Sequence, residues 1–317
     1  MKIVEVAAAV ILREDANGQT EYLLGQRGPG TFYPGYWEFP GGKVEPGETP
    51  RDALIRELHE ELEIEVLDAT SWIVREHIYE HAHVRLHFFR VTQWRGELRD
   101  HVHTALVWQS PEVPTASPML PANAPVLAAL RLPDFYGITH AWQIGTEAQL
   151  AALDTALARG LRLVQLRESA LPEMQRESFV ATAVAHCQQQ GAQVLVNGDA
   201  QLARAVGAAG LHLPARQLMA LNQRPPFPLI AASCHERREL EHAARLGLDF
   251  AVLGPLKPTA THSGDAGIGW ASFAQLAAGL PMPVYAIGGL SAADMPDALA
   301  AGAQGIAAIR AAWPAGN

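Results

Sequence analysis

Cysteine is scarce: the 317 residues hold two, Cys187 and Cys234, and neither lies in a Cys-x-x-Cys pair. A disulfide framework is excluded, and a reducing, cytoplasmic setting is expected. Long apolar runs are also lacking. Nothing approaches the roughly 18 uninterrupted apolar residues of a membrane span. The stretch from Val6 to Leu12 is short, is bounded by Glu5 and Arg13, and is followed by no small-residue cleavage site. Neither a membrane contact nor a secretory leader is expected from it. Positive charge is in short supply as well. Against 33 Asp and Glu stand 24 Lys and Arg, leaving −9. Residues 1–132 carry 12 basic and 19 acidic residues, a net −7, and the remainder carries −2. Gripping a long nucleic acid rewards basic stripes, so none is expected as a partner. An acidic protein that handles phosphates needs metal cations between the two.

What is present is ample apolar material. Hydrophobic residues make up 49% of the chain and mean hydropathy is +0.02, which excludes a disordered protein. The length is about that of two ordinary domains. In the first half, Glu5–Leu12, Glu21–Gln26, Trp72–His77, His83–Thr92 and Thr104–Trp108 read as strands. Asn17-Gly18 and Arg95-Gly96 read as hairpin turns between such runs. Pro50 to Leu62 reads as one strong helix, and the whole as an α+β mixed sheet with few helices. After a short helix from Val126 to Arg131 the grammar changes. Eight short apolar strands alternate with Ala/Leu-rich helices, at 136–141, 161–168, 193–198, 210–214, 228–235, 250–255, 283–289 and 305–311. That rhythm calls for an α/β fold, a (β/α)8 TIM barrel. The expected domains are 1–132 and 135–317.

The densest chemistry lies in Gly41–Ile64. Thr49 suits the helix N-cap, Pro50 the first position, and Asp52 an approximate capping box. Leu54, Leu58 and Leu62 form a buried stripe with Ile55 beside them. On another face stand Glu57, Glu60 and Glu61. Like charges at these offsets repel by roughly 0.2–0.5 kcal/mol per pair. Something positive must sit among them, and hard divalent cations favour clustered oxygen ligands.

The letters around this helix match the Nudix box at every fixed spacing: Gly42, Glu48, Arg56, Glu57, Leu58, Glu60 and Glu61. Residues 1–132 therefore resemble the Nudix hydrolases, with one departure, Glu63 where the family usually has glycine. The resemblance implies hydrolysis of a nucleoside diphosphate linked to another moiety, with Mg2+ or Mn2+. It implies that Glu57, Glu60 and Glu61 bind the metal, joined by the Gly41 carbonyl, that Glu48 supports the shell, and that Arg56 orients Glu57. The likeness is nearest to the mutator-type 8-oxo-dGTP diphosphatase subgroup. It places Arg27, Phe39, Gly42 and Asn123 at the substrate, Phe39 lining the base pocket and Asn123 reading the purine edge. An asparagine amide offers both a donor and an acceptor for that task. For this reason the proline-rich stretch 111–125 is kept inside the first domain as the loop that presents Asn123. The subgroup's further acid, before the last strand, falls on Val102. Asp100, His101, His103, Glu97 or Glu48 is expected to take over proton removal, unless the helix glutamates suffice. His81, His83 and His87 are read as one polar strand face rather than as metal ligands.

Residues 135–311 resemble thiamine phosphate synthase and its thiazole tautomerase relatives through VQLRE (164–168), VNGD (196–199), GLHLP (210–214), SCH (233–235), LGPLKPTATH (253–262) and AIGGL (286–290). The resemblance implies a phosphorylated thiazole or pyrimidine ligand near Arg167, Asn197, His235, Lys257, Gly288 and Gly289. Several of the synthases' polar positions differ here: Ser169 replaces a lysine, Gly198-Asp199 loses an arginine, and 214–217 holds no carboxylate for Mg2+. The synthase site is expected to be degenerate. Residual tautomerase chemistry through His235 and a ligand-binding or oligomerising role remain open. Cys234 is read as a small buried hydrophobe. A third alternative keeps hydrolysis and moves the substrate to thiamine-pathway pyrophosphates.

Overall fold

The computed structural model describes residues 2–258 and 266–313. The chain falls into two compact units, Met1–Arg131 with Ala278–Pro281, and Leu132–Ala277 with Met282–Asn317.

In the N-terminal unit, β1 (Ile3–Glu14), β2 (Thr20–Gln26), β3 (Trp37–Glu38), β4 (Gly41–Lys43), β5 (Glu65–Ile78), β6 (His83–Arg95) and β7 (Ala105–Gln109) make a seven-stranded sheet. Its main path runs β3-β2-β1-β6-β5, with β4 added to β1 and β7 to β2. β1 and β6 are parallel and the other pairs antiparallel, so the sheet is mixed. The apolar run of β1 is explained by burial on both faces. Ala7, Ala9 and Ile11 pack with Leu54, Leu58 and Leu62 of α1 (Pro50–Leu62). Ala8 and Val10 pack with Tyr22, Phe39, Phe88 and Val126, the last from α2 (Ala124–Leu130).

Two expectations are corrected. Arg95-Gly96 does not close a hairpin, because β7 pairs with β2 rather than with β6. The segment after Gly96 instead docks on the end of α1, where the N–H groups of Arg99 and His101 donate to the carbonyls of Leu62 and Glu61 at 3.0 Å each. β5 also starts at Glu65, well before the apolar run at Trp72. Its polar first half is held as strand by pairing with β6, with register shifts near Asp68 and Ile73.

In the second unit all eight expected strands form. β8 (Phe135–Ile138), β9 (Leu163–Leu166), β10 (Gln193–Asn197), β11 (Gly210–Leu213), β12 (Leu229–Cys234), β13 (Phe250–Leu253), β14 (Val284–Ile287) and β15 (Ile306–Ala308) close into a parallel barrel. Tyr136, Phe250 and Tyr285 fill its centre with Ile138, Leu163 and Leu195. At the seam between β15 and β8 the backbones approach so closely that a Cβ on Gly305 would sit 1.8 Å from the Asp134 carbonyl oxygen.

A polar chain crosses this core. The Gln165 amide donates to the Tyr136 hydroxyl at 3.3 Å, that hydroxyl lies 3.2 Å from His212 Nδ1, and His212 Nε2 lies 2.8 Å from Ser233 Oγ. Complete burial pushes the His212 pKa down to about 3 from 6.5. The unfolded chain thus takes up a proton near pH 6.5 that the folded barrel refuses until about pH 3. Stability is expected to fall as pH drops through that window. Urea midpoints measured against pH should show a slope that flattens in His212→Asn.

Candidate active site

Helix α1 is placed by its ends. At the start, the Asp52 N–H donates to Thr49 Oγ1 at 3.2 Å, and that hydroxyl donates to the Asp52 carboxylate at 2.7 Å. At the finish, Glu63 adopts φ 56° and ψ 31°, the left-handed conformation that glycine takes readily, and its N–H donates to the His59 carbonyl. Glu63 therefore carries the backbone geometry expected of it. Its carboxylate also reaches Arg99 and His101, 3.4 Å each, in the segment docked on the helix end.

Glu57 and Glu61, one helical turn apart, converge on Gly41 and Gly42 at the start of β4. The Gly41 N–H donates to Glu61 Oε2 at 3.1 Å. A Cβ on Gly42 would lie 2.2 Å from the Glu57 carboxylate, and one on Gly41, at φ 140°, 2.2 Å from the Ala7 carbonyl oxygen. Only glycines let the strand and these acids lie so close. Arg56 supplies the counter-charge. Its Nε and Nη2 hold Glu48 at 2.8 and 3.1 Å, Nη2 also donates to the Lys43 carbonyl, and Nη1 lies 3.0 Å from Glu57 and 3.3 Å from Glu60. Hydrogen bonds from Arg56 hold the Glu48 carboxyl below its usual range. Of the expected trio, Glu57 and Glu60 share Arg56 Nη1, with Glu60 59% exposed, and Glu61 accepts from the Gly41 N–H.

Around Glu61 gather two acids the family pattern did not stress. Burial pushes the Glu61 pKa up to about 8, and the charges of Glu57, Glu38 and Asp100 push the same way. Glu38, half-buried at the end of β3, pairs with Arg27 Nη1 at 2.5 Å. Its letter stands beside the glycine pair in Trp37–Lys43, a signal that could have drawn attention to it. Asp100 accepts from the N–H groups of Val102 and His103 at 3.2 and 2.8 Å and lies 3.2 Å from His103 Nδ1. The His103 side chain is 2% exposed, and its ring occupies the space where a Cβ on Gly25 would lie.

Among the described residues no group of three or more His, Cys, Asp or Glu encloses a ready-made metal site. Mg2+ does not ask for one, since it is bound by one or two carboxylates together with waters and substrate phosphates. The donors beside Gly41 and Gly42 are hard oxygens, and a half-buried carboxylate crowded by three others is stabilised in its ionised form by a dication. Glu57 and Glu61 fit such an ion.

The substrate residues are less open than expected. Phe39 is 4% exposed and packs on Tyr22 and Phe88, so it belongs to the core rather than to an open pocket wall. Asn123 is buried, its amide directed at the Met119 sulfur at 3.7 Å. Arg27 Nε donates to the Phe32 carbonyl at 2.7 Å. The reading of three histidines as one strand face is also corrected. His83 and His87 meet Glu76 and Glu5, whereas His81 precedes β6 and stacks on Phe32.

In the barrel, Arg167, Asn197, His235, Lys257, Gly288 and Gly289 all sit at or just beyond the C-terminal ends of strands, where barrel chemistry belongs. Lys257 is neutralised by Asp294 at 2.5 Å, and His235 Nδ1 lies 2.9 Å from the Gly254 carbonyl oxygen. Gly288, at φ 112°, packs where a Cβ would strike Pro255. Thr259 to His262 of the fifth matching segment lie outside the described residues. Sequence reasoning missed two groups at the end of β8 and β9. Glu168 is buried and accepts from the N–H groups of Ala141 and Trp142, and His140, 7% exposed, has a buried Nδ1 without a partner. Cys234 is buried with its thiol pKa pushed up by burial, which makes it inert.

Comparison with known proteins adds identity to this geometry. A family model described as NUDIX domain matches residues 4–130, and one described as Thiamine monophosphate synthase matches residues 135–312. A CTP pyrophosphohydrolase of Escherichia coli (strain K12) is 42% identical over 135 residues, 41% of this chain and 92% of that protein. An 8-oxo-dGTP diphosphatase of Proteus vulgaris is 40% identical over 99 residues, 31% of this chain and 85% of that protein. A putative thiamine-phosphate synthase of Geobacter sulfurreducens is 36% identical over 180 residues, 56% of this chain and 84% of that protein.

Two substitutions separate folding from site geometry. Gly42→Ala displaces a flexible carboxylate rather than backbone, so thermal unfolding should change little while turnover falls about a hundredfold, the usual consequence of misplacing a reacting group by an ångström. Glu63→Gly should do the reverse to the fold. Relief of the left-handed conformation raises stability by about 0.5–1 kcal/mol in denaturant titration, while release of Arg99 and His101 lowers kcat.

Proposed function

The chain belongs to the NUDIX and thiamine monophosphate synthase families, one in each unit, and we propose that it hydrolyses oxidised purine nucleoside triphosphates, converting 8-oxo-dGTP to 8-oxo-dGMP and pyrophosphate with Mg2+ or Mn2+. The observation that carries this reading is the meeting of Glu57 and Glu61 at Gly41 and Gly42 of β4, with the charges of Glu38 and Asp100 acting on Glu61. So much negative charge in one half-buried place suits a dication and the polyphosphate it holds. When bound, such an ion screens the phosphates and acidifies an attacking water. Arg56 keeps Glu57 in place with Glu48 as its brace, and the Gly41 N–H orients Glu61. We assign the proton of the attacking water to Asp100, which stands in the segment before the last strand and whose charge acts on Glu61.

Relatives named for CTP and for 8-oxo-dGTP both support a nucleoside triphosphate. The resemblance at Asn123 supports the oxidised purine, its amide carrying a donor and an acceptor for a purine edge although it is buried against Met119 here. CTP is the second reading, favoured by the longer match with the Escherichia coli protein. In the barrel, the residues at the strand ends suit a phosphorylated thiazole or pyrimidine. Ser169, the Pro214-Ala215-Arg216-Gln217 segment and the neutralised Lys257 speak against synthase turnover.

Pyrophosphate release by the full chain over a nucleotide panel tests the reading. The expected result is a preference for 8-oxo-dGTP, abolition by a chelator, and a fall in kcat of about a hundredfold or more in Glu57→Gln and Glu61→Gln. Because a cation must displace the proton that Glu61 holds up to about pH 8, the rate at sub-saturating magnesium should rise with pH toward that value. A preference for a pyrimidine pyrophosphate, or turnover indifferent to both substitutions, would overturn it.

A further inference from the structure

Within the N-terminal unit, one cluster of rings is used neither by the core nor by the acidic site. Phe32, Tyr33 and Tyr36 come from the loop after β2, and His77, Tyr79 and His81 from the end of β5 and the turn that follows. Phe32 and His81 lie parallel, 3.9 Å between centroids and 7° between planes. Tyr79 stacks on His81 at 5.5 Å, and Tyr33 meets Tyr36, Tyr79 and His81 at 5.3, 5.6 and 6.0 Å. Phe32, though stacked in the cluster, is 63% exposed. His81 covers one face, and most of the residue's surface remains exposed to solvent.

The backbone beneath these rings is strained in a specific way. Tyr33 has φ 58°, and it and Glu63 are the two non-glycine residues at positive φ among those described. A bulky residue there costs roughly 1–2 kcal/mol, a cost that persists where the surroundings over-determine the conformation. The surroundings here do so. The loop is tied at its base by Arg27 N–H to the Tyr36 carbonyl and Gly35 N–H to the Arg27 carbonyl, both 2.9 Å, and by the Gln26 amide to Gly35 at 3.1 Å. The Phe32 carbonyl is itself held by Arg27 Nε. The rings are thus joined through the Phe32 carbonyl to Arg27, the partner of Glu38, and β5, which leads into Tyr79, packs beside Pro121–Asn123.

We infer that the Phe32–His81 stack, backed by Tyr33 and Tyr79, is the platform on which the substrate's nucleobase lies, and that the strained turn at Tyr33 exists to present it. A flat heteroaromatic base completes a three-ring stack on the face of Phe32 opposite His81, and stacking of this kind tolerates any base. Base identity is then left to hydrogen-bonding groups, and the platform supplies affinity common to all nucleotides. This rests on the hydrolase reading of the same unit and adds the mode of base capture.

The test uses the full chain. Phe32→Ala and His81→Ala remove exposed rings without opening the core, and thermal unfolding confirms that each folds. Each should raise KM for 8-oxo-dGTP about tenfold, with the loss in KM rather than kcat. Phe32→Trp, which enlarges the platform, should restore or lower KM. Guanosine 5′-monophosphate and ribose 5-phosphate titrated in ligand-observed NMR need no turnover. The former should bind wild type and lose about tenfold in Phe32→Ala, and the latter should be indifferent to the change. Unaltered KM and unaltered guanosine monophosphate binding in both alanine variants would overturn the platform while leaving hydrolysis intact. Absence of pyrophosphate release from every nucleotide by wild type would instead overturn the hydrolase reading, and the monophosphate titration would still decide the platform.

Discussion

Arg56 is the counter-charge on which the acidic end of the N-terminal unit depends. One guanidinium, part-buried on α1, holds both oxygens of Glu48, reaches Glu57 and Glu60, and caps the Lys43 carbonyl. Its hydrogen bonds to Glu48 and Glu57 hold its pKa above the usual arginine range. The fixed fork of donors matters more here than the charge alone, because a lysine ammonium could not grip three carboxylates and a carbonyl in set directions. Glu57 and Glu48 are thereby held in place before any ligand arrives. Glu61 has only the Gly41 N–H to set against burial and the repulsion of Glu57, Glu38 and Asp100.

Most of the fold was legible because local and global signals agree. The Leu54, Leu58, Leu62 stripe, the Thr49 cap and Pro50 all name the same helix, which spans Pro50–Leu62 as expected. The eight apolar runs of the second half were legible for the same reason, being buried strands between helices. Failures came where pairing rather than propensity decides. β3 and β4 are too short to announce themselves, the first half of β5 is polar, and Arg95-Gly96 has a hairpin's letters without a hairpin's partner. In the site, fixed spacing singled out Glu57, Glu60 and Glu61 but could not tell that Glu60 would be the exposed one, sharing Arg56 with Glu57. The aromatic cluster was invisible, since its members lie far apart in the chain and meet only when the β2–β3 loop folds toward the end of β5.

The two units solve the problem of buried polarity differently. In the N-terminal unit polar groups collect at one edge of the core, where carboxylates and Arg56 remain partly wet. In the barrel, Gln165, Tyr136, His212 and Ser233 run through the interior itself. There each group satisfies the next, and His212 stays neutral because no charge could be solvated at that depth. Polar letters inside otherwise apolar strands, as in Leu163–Leu166 and Gly210–Leu213, are the trace this leaves in the sequence.

The seam of the barrel has a temporal consequence. β8 and β15 are its first and last strands, and they lie side by side only because Gly305 lets the two backbones touch. During synthesis, seven strands emerge before their sheet has a closing member. One flank of β8 therefore waits, its amides and carbonyls hydrated, until Ile306–Ala308 leaves the ribosome. The barrel's cohesion arrives all at once, at the last three-residue strand, whereas the strands of the N-terminal sheet are already complete some two hundred residues earlier.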